Sequence, residues 1–178
     1  CGMGAAGRAI CVDRTTREGA SRLAQLIKPG EVEDIPVSPK IDRAESPQDI
    51  QKFWIPFDIL RSLIRDGDCV IDFGANVIQF FCDWASEYAD TPQPLGSEGP
   101  GIVLVIPTTA NARALRDVRE TCDLFGQARI QVQSIVVVFN ELMGSVEAIG
   151  GPDLAWIRGM QEEGYLQIGR MPRVRGFA

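Results

Sequence analysis

The sequence predicts an α/β fold: a mostly parallel sheet with helices on both faces. Three observations carry this reading. Short apolar runs rich in valine and isoleucine recur along the chain (RAICVD, DCVID, IVLVI, SIVVVF). Runs of that length without polar alternation suit strands buried on both faces. Between them lie longer segments whose apolar residues fall at helical spacing, and this alternation implies right-handed parallel crossovers. At 178 residues, 45% hydrophobic and 24% charged, the chain has the apolar content of one domain with a sizeable core.

Taken in order, residues 8–13 form the first buried strand, ending in an acid. Residues 19–27 carry Ala, Leu and Ile at helical spacing and are closed by Pro29-Gly30. Residues 31–46 are a loop with room for a short strand at 32–37. Ser46 and Pro47 open a helix over 47–65 as N-cap and first-turn proline, with Pro56 expected to kink or split it. Residues 68–72 are the second buried strand, and 77–88 an apolar-rich helix. Prolines and glycines make 91–101 a loop. The strand at 102–106 is expected to stop at Pro107, with Thr108 and Thr109 capping the helix over 111–125. Residues 133–139 contain the strongest strand pattern. A helix over 153–163 and a short strand at 166–169 complete the order.

Composition removes several function classes. With 18 basic against 24 acidic residues, the net charge is -6. Bulk electrostatics therefore give no support for direct nucleic-acid binding. The absence of histidine excludes His-based acid/base chemistry, Ser-His triads and His-ligated metals. The five cysteines include no Cys-x-x-Cys pair. They suit a reduced, cytoplasmic compartment better than a disulfide framework or a zinc site. No stretch is long and apolar enough to span a bilayer. Gly2-x-Gly4-x-x-Gly7 has dinucleotide-loop spacing, but it precedes a strand instead of following one.

In open α/β sheets, ligands sit beyond the carboxyl ends of the strands. That points to Asp13, to Asp72 through Asn76, and to Asn140. Asp72-Phe73-Gly74 is the sharpest feature. An acid ending a buried strand, followed by glycine and a helix start, can hold magnesium through water, with the Gly74 amide facing a terminal phosphate. It can also open a loop around an adenosyl group, or simply cap the next helix. Asp13 reads equally as a functional or a solvated strand-end acid. The Asn140 amide alone is a weak signal.

Read together, these segments resemble the ParA/MinD-type P-loop ATPases, particularly their TraL-like plasmid-transfer branch. Residues 7–13 look like that family's second strand and its terminal acid. Residues 70–75 (VIDFGA) look like its Walker B and switch II strand. Residues 136–141 (VVVFNE) resemble the strand whose Asn recognises the base, and Gly169-Arg170-Met171-Pro172 the strand after it. The resemblance implies ATP and magnesium as cofactors and a nucleotide-dependent homodimer that releases a protein partner on hydrolysis. Plasmid partition or conjugative transfer would be the setting. It makes Asp13 the catalytic acid, Asp72 the magnesium holder, and Asp72, Gly74 and Asn140 nucleotide contacts.

Nothing in the chain matches G-x-x-x-x-G-K-[ST], and Asp13-Arg14-Thr15-Thr16 stands where the family has Asp-x-Asp-Pro. The resemblance therefore implies a first strand and phosphate loop upstream of Cys1. Their loss would leave a gap between the Asp72 strand and the Ile102 strand, and these residues alone would be inactive. A rival resemblance, to adenosylmethionine-dependent sugar methyltransferases, rests on VIDFGANVIQF. It is opposed by Ile78 and by Ile106-Pro107, which stand where that cofactor needs a glycine and an acid. A third possibility is a non-hydrolysing scaffold of the same fold.

Overall fold

The computed structural model describes residues 8–14, 32–37, 47–74, 77–87 and 101–171. The helix expected at 19–27, the Ser46 cap, most of the loop at 91–101 and Pro172 lie outside these. The chain divides into two compact units, Cys1–Pro100 and Gly101–Ala178.

The first unit holds a three-stranded parallel sheet in the order β2-β1-β3, with β1 at Arg8–Arg14, β2 at Val32–Val37 and β3 at Cys69–Phe73. Helix α1 spans Pro47–Asp66 and α2 spans Val77–Glu87. The central strand is the most buried: Ile10, Cys11 and Val12 are all core residues. The helices supply an aromatic core to this unit. Phe53, Phe57, Phe81 and Trp84 are buried and meet ring to ring, with Phe73 of β3 4.9 Å from Phe81. Such pairs add to the stabilisation from burial. The Trp84 indole N–H donates to Asp58 at 3.1 Å, tying α2 to α1.

Helix α1 runs unbroken through Pro56, so the proline does not split it. A mid-helix proline costs about 3 kcal/mol. Burial of Phe53, Phe57 and Leu60 on either side of it offsets that cost. Proline also sits inside two strands. Pro36 lies in β2 and Pro107 in β4, both edge strands among the described residues. A strand with one neighbour can spare an N–H on its open side. This is why β4 continues to Thr109 instead of stopping at Pro107.

The second unit holds β4 (Ile102–Thr109), β5 (Val132–Asn140) and β6 (Gln167–Met171) as a parallel sheet in sequence order. Its helices are α3 (Ala112–Gln127) and α4 (Gly151–Glu162), with two short 3-10 turns at Glu141–Met143 and Val146–Ala148. The core is mostly aliphatic. Ile106 and Val137 pack with Leu115 and Val118 of α3 and with Leu154 and Ile157 of α4, around Phe139. Thr108 and Thr109 belong to β4, so they do not cap the next helix. Asn111 does, its side-chain oxygen accepting from the Arg113 N–H at 2.8 Å. Among the described residues, no helix is long and apolar enough to cross a membrane.

Candidate functional site

Parallel pairing of β1 with β3 brings three of the expected site residues to one sheet end. Cys11 stands opposite Asp72, and Val12 opposite Phe73. The Gly74 N–H then donates to the Val12 carbonyl at 2.8 Å, extending the ladder by one residue. That bond overturns the expectation that the Gly74 amide faces a phosphate, because the donor is spent on the neighbouring strand. The role of Gly74 is instead one of space. A Cβ there would collide with the carboxylate of Asp13, so only glycine lets β3 leave the sheet this close to the end of β1. Its carbonyl accepts from the Val77 N–H at 3.1 Å, turning the chain into α2.

Side chains two apart on a strand share a face, and register partners point the same way. Cys11, Asp13 and Asp72 therefore share one face, and so does Asp34, which pairs with Cys11 from the other side. Asp34 and Asp72 are exposed and flank the buried Cys11. With strands about 4.8 Å apart, this face carries carboxylates on all three strands. Asp34 was not singled out in the sequence, because only the register of β2 against β1 makes it a neighbour of Asp72. Among the described residues, no group of three or more His, Cys, Asp or Glu side chains converges to hold a metal ion.

Asn140 belongs to the second unit, at the carboxyl end of β5. Its side-chain oxygen accepts from the Leu142 N–H at 3.1 Å and caps the first 3-10 turn. Close by is a charge network that sequence spacing did not reveal. Arg170 of β6 reaches Glu141 at 2.5 Å and also grips Glu147, which Arg158 of α4 holds at 2.6 Å.

Burial disfavours the thiolate at three of the described cysteines. Burial, followed by the charge of Asp83, pushes Cys82 up to about 12. Burial and then Asp123 push Cys122 up to about 11. Cys69 is raised too, first by burial and then by Asp68. Thiolates, the reactive form, are suppressed at all three positions.

No known protein family, curated protein or solved structure matches this chain.

Proposed function

We propose that this chain forms part of a nucleotide-switch ATPase of the ParA/MinD type, taking ATP with magnesium and acting as a nucleotide-dependent homodimer with a protein partner. The observation that carries the reading is the meeting of Asp13, Asp72 and Gly74 at the carboxyl ends of adjacent parallel strands. This is where α/β sheets place ligands.

The donor set suits magnesium. Asp13 and Asp72 offer hard carboxylate oxygens, and magnesium is commonly held by one or two carboxylates while it keeps several waters and takes phosphate oxygens. When bound, the ion would neutralise charge on the phosphates. The chain's own share of the work is positional, as phosphoryl transfer requires. Asp72 presents its carboxylate from an exposed position on β3, and Gly74 holds that strand end against Asp13.

Calorimetry on the full-length protein tests the proposal. ATP should bind only with magnesium present, and adenosylmethionine should not bind. Micromolar adenosylmethionine binding, or ATP affinity indifferent to magnesium, would overturn it.

A further inference from the structure

The charge network at the carboxyl end of the second sheet has the donor set of an anion site, and a carboxylate of the chain itself fills it. Glu147 lies on the second 3-10 turn. Arg158 Nη2 donates to it at 2.6 Å, Arg170 Nη2 donates to the same oxygen, and the Ser145 hydroxyl donates to the other. Arg170 Nη1 also reaches the second oxygen, at 3.4 Å. These contacts, Arg170 first and Ser145 next, hold the Glu147 carboxyl at about 2, far below the usual glutamate range.

The arginines have contacts besides Glu147. The buried Phe139 ring has the Arg170 guanidinium carbon 5.7 Å from its centroid and that of Arg158 6.0 Å away. Arg170 is tethered to Glu141 as well. Attraction to the ring face helps to hold each guanidinium beside it. The turn carrying Glu147 is bracketed by Gly144 (φ 124°), Gly150 (φ 63°) and Gly151 (φ 90°). These are backbone states glycine adopts at little cost.

We propose that Arg158, Arg170 and the Ser145 hydroxyl form a binding site for a phosphate-type oxyanion, with Glu147 as the internal stand-in that an incoming anion displaces. Two guanidinium groups and a hydroxyl converge on the Glu147 carboxylate, and the same donors suit the oxygens of a phosphate. The side chains of Arg158, Arg170 and Glu147 are 36%, 40% and 44% exposed, so an anion can reach them from solvent. An incoming anion must outcompete Glu147 for these guanidiniums, and phosphate brings up to about twice the charge of a carboxylate. The site does not rest on the ATPase reading, because it uses neither Asp13 nor Asp72.

The probe is inorganic phosphate without magnesium, added to the full chain at constant ionic strength. Apparent affinity scales with the fraction of molecules whose site is open. Glu147→Gln should therefore bind phosphate roughly tenfold or more tightly than wild type. The double variant Glu147→Gln/Arg170→Gln should lose the gain. A Glu147→Gln affinity equal to wild type, or a gain that survives removal of Arg170, overturns the proposal. Should either variant fail to fold, the wild-type chain still decides. Phosphate should shift the Arg158 and Arg170 side-chain N–H resonances selectively, whereas equal shifts at Arg113 and Arg116 of α3 would overturn the site.

Discussion

The two units place acidic side chains at the carboxyl ends of similar three-stranded sheets and give them opposite surroundings. In the first unit Asp72 and Asp34 are exposed on a face whose register partner is the buried thiol Cys11. In the second, Glu141 and Glu147 are bound by arginines. An exposed carboxylate can take a cation from solution, whereas one gripped by two guanidiniums has already spent its charge. The first face thus leaves its carboxylates open to the cation that the proposed function requires, and the second occupies its carboxylates with arginines.

The largest effect expected separates the cores. Phe57→Ala removes the ring at the centre of the first unit's aromatic cluster and should cost about 3–5 kcal/mol. Leu115→Ala in the aliphatic core of the second unit should cost about 2–5 kcal/mol. Chemical denaturation measures both. Gly74→Ala comes next. The added methyl meets the Asp13 carboxylate and should cost about 1–3 kcal/mol as overpacking. Asp13→Ala should relieve most of that cost in the double variant, and a purely additive cycle would break the assigned contact.

The pH dependence tests the gripped glutamate. Its folded value is depressed to about 2, so its stabilising effect is present above the ordinary glutamate range and is lost as pH falls through about 2. Between pH 5 and pH 2, a range of about three units set by that linkage, the melting temperature should fall more steeply with Glu147 present than in Glu147→Gln. The smallest effect belongs to the open edge of β4. Val105→Lys should change stability by no more than about 0.5 kcal/mol, yet lower aggregation seen by light scattering, because a lysine on an edge strand blocks pairing.

Most of the architecture was legible in the sequence because it depends on short-range patterns. The continuous apolar runs at 8–13, 68–72, 102–106 and 133–139 all lie within or overlap strands. Prolines misled because their effect depends on strand position. Pro107 ends a central strand but not an edge one, and nothing local distinguishes the two. The site was half legible. Asp13, Asp72 and Gly74 stood out as strand-end residues, but their common face with Asp34 comes from register. The Glu147 network joins residues 11 and 23 positions apart. Only the parallel return of β6 beside β5 brings Arg170 to that end of the sheet.

The most direct test of the central claim is magnesium-dependent ATP binding by Asp72→Asn in the full-length protein. Asparagine keeps the size of aspartate and removes the charge that magnesium favours. Stability should stay within about 0.5 kcal/mol of wild type. ATP affinity in magnesium should fall about tenfold or more, equivalent to about 1.4 kcal/mol. Unchanged affinity in a folded Asp72→Asn protein would contradict the assignment and make Asp72 a structural residue of β3.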